Sequence, residues 1–241
     1  MEGVNQNHIN SKSLQGNTPT PKEVAFAAVR EDGNALFNLS PEFQADKEIV
    51  LTAVAQNGNA LMYVRPELRE DKEVVLAAAA QNVNALRFAC EKLLASKEFM
   101  LAAIDQNIYA LQYASPNLRA DKDLVLTAIK KDGEALRFAD PTLQGDKIFI
   151  LTAIEEGGII IRRYSEVLQY ATPELQADKD VVLAAVTKNG GALEHAGPEL
   201  QADKDVVLAA VRQDGSALGY ASEPLRADEG VVLAAVRQSG Y

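Results

Sequence analysis

Residues 178–202 read DKDVVLAAVTKNGGALEHAGPELQA, and residues 203–227 read DKDVVLAAVRQDGSALGYASEPLRA. The second stretch copies the first after 25 residues. That spacing decides the fold, because self-similarity at a period of 20–50 residues marks a stacked array of small units. Outward from this pair, the opening position falls at Asp46, Asp71, Ser96, Asp121, Asp146, Asp178, Asp203 and Asp228. Every step is 25 residues except the one of 32 between Asp146 and Asp178. One step back from Asp46 lies Pro21, where PKEVAFAAV is a diverged copy, giving nine modules, the ninth stopping halfway at Tyr241.

Numbering each module from its Asp gives every position a physical reading. The Asp is an N-cap, and the acid at position 3 suits the positive end of the helix dipole. Thr20, Pro21 and Glu23 do the same work in the first module as a capping box with Pro at the first helical position. Apolar residues at positions 5, 6 and 9, with Ala at position 8 in all nine modules, predict one face of a helix of about three turns. On that reading Leu126→Ala costs on the order of 2–5 kcal/mol. Asn-Gly or Asp-Gly at positions 12 and 13 predicts a left-handed stop. Val83 and Ile108 replace that glycine, and β-branched residues avoid the left-handed region, so a different turn and a bend are expected there. A second, shorter helix of NALQYAS type follows, and then SPEL, whose Pro stops it. A leucine-rich repeat is excluded by the missing L-x-x-L-x-L-x-x-N signature.

The expectation is therefore an all-α fold: an α-solenoid, a right- or left-handed superhelix of about nine helix–turn–helix repeats, each a long helix plus a short one. A polar tail over 1–20 precedes a single repeat domain over 21–241. The net charge of −10 argues against nucleic acid. The lone Cys90 fits a reducing, cytoplasmic setting without disulfides. Neither a secretory leader nor a membrane span is legible, so no membrane partner is expected.

The text ADKEVVLAAVxQNGxALxYASPELRADK, clearest at residues 46–57, 121–139 and 178–227, resembles the domain-of-unknown-function 4116 repeat family. In weaker form the resemblance runs from residue 21 onward, one family unit spanning about two modules. It implies no catalytic residues. Such repeats occur in proteins of protists and host-associated intracellular bacteria, so a host-directed protein exported by a non-classical route is one expectation it raises.

Little in the residues suggests chemistry. His195 occupies the aromatic column at position 18 and reads as a half-core stand-in for Tyr, and Cys90 reads as a small buried thiol with no His nearby. Two His and one Cys make no metal set, and no cofactor motif occurs. Lys at position 2 of eight modules could form a track for an acidic polymer, but acids at position 3 of most modules should neutralise it. Positions 14 and 17 of the short helix vary while the framework holds, as on solenoids that present a mixed surface to a partner.

The long step contains seven extra residues near 158–165, within EEGGIIIRRYSEVLQYA (155–171). Seven residues make about two helical turns, so this short helix is expected to lengthen and carry Ile159, Ile160, Ile161, Arg162, Arg163 and Tyr164 either onto the next unit, changing only the superhelix, or past the array as a candidate partner-binding patch. The functional expectation is a non-enzymatic scaffold that binds a protein partner. The alternatives are a structural spacer, a fragment of a larger multi-domain protein whose activity lies elsewhere, or an enzyme with an unrecognised carboxylate site.

Overall fold

The computed structural model describes residues 18–156 and 165–239. Among these residues all regular structure is helical. Each module opens with a long helix: α1 (Pro21–Glu31), α2 (Lys47–Gln56), α3 (Lys72–Gln81), α4 (Lys97–Gln106), α5 (Lys122–Ile129), α6 (Lys147–Glu156), α7 (Lys179–Lys188), α8 (Lys204–Gln213) and α9 (Glu229–Ser239). The caps are those the sequence predicts. The Asp46 carboxylate accepts from the Glu48 and Ile49 amides at 3.1 and 3.3 Å. Thr20 and Glu23 close a reciprocal box, with Thr20 N–H donating to Glu23 Oε2 at 2.7 Å.

The remainder of the module corrects the two-helix expectation. Positions 13–18 form a six-residue 3₁₀ helix, as at Gly58–Tyr63 and Gly190–His195, and SPEL forms a further single turn, as at Pro198–Gln201. Modules therefore hold three helical pieces. The exception is Ser165–Tyr170, which occupies the same six positions as an α-helix.

The turn between the first two pieces also differs from the expected left-handed stop. Asn57 has φ −144° and ψ 107°, which is extended backbone. Its N–H closes α2 by donating to Ala53 O at 2.9 Å, while its side chain accepts from Asn59 N–H at 3.0 Å to start the 3₁₀ helix. One Asn or Asp thus serves as C-cap and N-cap at once, which is why position 12 is confined to short side chains that hydrogen-bond backward. Asn82 and Asn107 adopt the same geometry, so the turns at Val83 and Ile108 do not differ from the others.

Glycine at position 13 answers a packing demand instead. A Cβ built on Gly190 would lie 2.5 Å from Ala210 O, on the long helix of the following module. The same N–H donates to the Gln213 side chain at 2.5 Å. Equivalent clasps join Gly33 to Gln56, Gly58 to Gln81 and Gly215 to Gln238.

The buried face of the long helix is made by positions 4, 5, 8 and 9, such as Val206, Val207, Ala210 and Val211, all fully buried. Position 6 lies about 100° further round the helix from position 5 and falls at the seam between neighbouring long helices. Leu126, Leu183 and Leu208 are accordingly only half-buried. Position 8 packs as predicted: Ala53, Ala78, Ala103, Ala128, Ala153, Ala185, Ala210 and Ala235 are buried, Ala28 at the first module half-buried.

Two further bonds tie each module to the next. Lys at position 2 reaches the next module's N-cap Asp, as Lys97 to Asp121 at 2.8 Å and Lys179 to Asp203 at 2.6 Å. The position 20 amide donates to the position 24 carbonyl of the preceding module, as Ser115 to Leu94 and Asp140 to Arg119, both at 2.9 Å. These two bonds continue across the long step. Lys147 bonds Asp178 at 2.8 Å and Thr172 N–H donates to Gln144 O at 3.1 Å.

Candidate interaction surface

Framework bonding accounts for most conserved-pattern polar groups and thereby isolates the rest. The lysine ladder is engaged along its whole length, from Lys22 with Asp46 and Glu48 to Lys204 with Asp228. Hydrogen bonds from Lys97, Lys122 and Lys179 hold the Asp121, Asp146 and Asp203 carboxyls below the usual carboxylate range. These lysines are structural stitches rather than a track. Gln at position 24 folds back onto its own 3₁₀ helix, Gln44 Nε2 donating to the Leu36, Phe37 and Leu39 carbonyls.

The 3₁₀ row carries the side chains not consumed in this way. In a 3₁₀ helix residues three apart eclipse, so positions 13, 16 and 19 turn inward together while 14 and 17 share a face. Leu61, Leu86, Leu111 and Leu136 at position 16 are fully buried. Position 17 is exposed in all eight complete modules, as Phe37, Met62, Arg87, Gln112, Arg137, Gln169, Glu194 and Gly219. Phe37 is 63% and Met62 42% exposed, with Tyr109 at position 14 at 38%.

Aromatic residues at position 18 run beside them and join modules laterally. Phe37 meets Tyr63 with ring centroids 5.1 Å apart, and Tyr109 meets Phe138 edge-on at 5.6 Å. Arg87 lies over Phe88 at 4.8 Å, and Arg137 over Phe138 at 5.3 Å. Position 14 is tied into the row by side-chain bonds: Asn57 Nδ2 to Asn34 Oδ1 at 3.0 Å, Tyr113 O–H to Asn84 Oδ1 at 2.7 Å, and Tyr109 O–H to Glu134 Oε2 at 2.8 Å. The Tyr109 phenol and Arg137, 2.7 Å away, hold the Glu134 carboxyl low, and Glu134 in turn pushes the Tyr109 phenol up. Position 14 is thus preorganised, and position 17 is the face left to solvent.

The sequence-predicted patch Ile159, Ile160, Ile161, Arg162, Arg163 and Tyr164 lies outside the described residues, as does any lengthening of its helix. His195 is half-buried in the aromatic column, and burial pushes its imidazole down. Cys90 is half-buried rather than buried, at the N-cap of the one-turn helix Glu91–Leu94. Among the described residues no group of three or more His, Cys, Asp or Glu is set to hold a metal, and no helix is long and apolar enough to cross a membrane.

The family model for the domain of unknown function DUF4116 matches residues 22–69, 46–94, 71–119, 121–166, 146–201 and 203–241. The chain belongs to this family. The first three matches advance by one module while each spans two, so the DUF4116 unit is a pair of the three-piece modules described above. The match over 146–201 absorbs the seven extra residues. No curated protein and no solved structure matches the chain.

Proposed function

We propose that this DUF4116 array is a non-enzymatic scaffold that binds a protein partner along its 3₁₀ row. The observation that carries the reading is the division of labour between positions. The inter-module bonds consume the repeated Lys, Asp, Asn and Gln, while Phe37, Met62 and Tyr109 present large apolar area to solvent on a row whose residues differ from module to module. Exposed aromatic, Met and Arg side chains are the types enriched at interface centres. The stretch Ile159–Tyr164 remains a second candidate contact on its sequence. A reducing cytoplasm suits the single thiol, and action in a host cell after non-classical export is the variant that the family resemblance raises.

Crosslinking mass spectrometry of the full chain with native or host lysate tests the proposal. The expected result is crosslinks flanking positions 14 and 17, and a captured protein lost by Phe37→Ser/Met62→Ser/Tyr109→Ser with the helical fold retained by circular dichroism. A captured protein retained by that variant overturns the assignment of the row. No specific partner under any condition favours a spacer.

A further inference from the structure

The four middle junctions lack the latch that closes the ends of the array. At the junctions of modules 1–2, 2–3, 7–8 and 8–9, the position 13 glycine amide bonds the next module's position 11 glutamine at 2.5–2.7 Å. At 5–6 position 11 is Glu156 and at 6–7 it is Lys188, and among the described residues neither makes that bond. At junction 3–4 the glycine is Val83, and among the described residues no bond joins it to Gln106. At junction 4–5 it is Ile108, and position 11 of the next module is Lys131, which has no acceptor to offer. Lys131 turns instead to Asp105, at 2.6 Å.

Side-chain volume has a consequence at these two places. Even the single Cβ of Ala at a clasped glycine would strike the next long helix's carbonyl, at 2.5 Å for both Gly190 and Gly215. Val83 and Ile108 put a whole β-branched side chain there, half-buried against the core. The long helices pack through fewer residues at junctions 3–4, 4–5 and 5–6 than at 2–3 or 8–9. Helix α5 itself ends at Ile129, two residues before its equivalents end.

The opposite edge of both junctions stays pinned. Ser115 N–H donates to Leu94 O and Asp140 N–H to Arg119 O, each at 2.9 Å. Lys72 holds Glu98 at 3.0 Å and Lys97 holds Asp121 at 2.8 Å, at the N-terminal ends of the long helices. A junction fixed along one edge and unlatched along the other has one soft motion, rotation about the fixed edge. At junction 3–4 the apolar wedge offers no directional bond to resist it, and at 4–5 the C-terminal ends are joined only by the exposed Lys131–Asp105 ion pair, a weaker restraint than a clasp.

We infer that junctions 3–4 and 4–5, within the unclasped middle of the array, form a built-in hinge, opening and closing at the C-terminal ends of α3, α4 and α5 about the seam of linker bonds. The hinge lies under Arg87, Tyr109, Gln112 and Arg137, so its motion changes the spacing of the central side chains of the 3₁₀ row.

Paired spin labels on the full chain test this, with Cys90→Ser removing the native thiol. Labels at Ala80 and Lys130 bracket these two junctions, and labels at Thr187 and Arg237 bracket two clasped ones. Both pairs are 50 residues apart at exposed, equivalent positions. The expected distance distribution is at least twofold broader for the first pair. Val83→Gly/Ile108→Gly/Lys131→Gln, which writes in the missing clasps, should narrow it to the width of the second pair. Equal widths in the native sequence, or no narrowing in a folded triple variant, overturn the hinge. If the triple variant does not fold, Gly190→Val/Gly215→Val supplies the converse. That wedge should broaden the Thr187–Arg237 distribution at least twofold, and an unchanged width overturns the proposal equally.

Discussion

Gly190→Ala is the sharpest probe of how the modules meet. The added methyl would sit 2.5 Å from Ala210 O and 3.0 Å from Asp214 Cβ, both on or beside the backbone of the next module. Neither neighbour is a flexible chain end, so α8 has to withdraw by about 1 Å to restore ordinary contact distances. Such overpacking costs about 1–3 kcal/mol. The withdrawal also breaks the 2.5 Å bond from Gly190 N–H to Gln213 Oε1, a further loss of about 0.5–1.5 kcal/mol. The expected destabilisation is roughly 2–4 kcal/mol, read as a shift of the urea midpoint at constant slope by circular dichroism. Gly219→Ala is the matched control. Its Cβ would meet nothing within 4 Å, so the substitution should be neutral or stabilise by about 0.4–1 kcal/mol through the unfolded chain. Gly190→Asn separates the two explanations of the glycine. Asn tolerates a left-handed backbone and would be mild if conformation were the reason, whereas close approach makes it at least as damaging as Ala. A neutral Gly190→Ala, or a mild Gly190→Asn, refutes the reasoning.

Two other expectations follow from burial and from charge. Leu136→Ala should cost about 2–5 kcal/mol because Leu136 is fully buried, while half-buried Leu126 should cost about half as much; equal midpoint shifts in urea would show that the seam at position 6 is core after all. Burial depresses the His195 imidazole, so the folded state binds this proton less readily than the unfolded one. Its contribution to stability is complete above the ordinary His value of about 6.5 and is lost as pH falls below it. Between pH 7.5 and 5 the urea midpoint of His195→Tyr should therefore fall less than that of the native chain, and identical falls would remove the imidazole from the account.

The period, the number of modules and the helix caps were legible in the sequence, because each rests on short-range chemistry. An Asp before a helix and an Ala held at one angular position mean the same thing in any module. The insertion was legible too, as a step of 32 residues that leaves Lys147 facing Asp178 as the other lysines face an acid of their next module. The candidate surface was legible in part. Positions 14 and 17 stood out by variation, but their common face depends on a period of 3.0 residues rather than 3.6, and no local propensity announces a 3₁₀ helix of six residues.

Tertiary structure alone decided the rest, since it concerns what one module meets in another. Gly33, Gly58, Gly190 and Gly215 follow Asn or Asp and read locally as left-handed stops, yet their backbones are not left-handed and the need for them comes from a carbonyl 20 residues further along the chain. The same contact turns Val83 and Ile108 from odd turn residues into wedges. A sequence states which groups each module owns. Only the stacked chain fixes the distance between an amide in one module and a glutamine in the next, and that distance separates a latched junction from a free one.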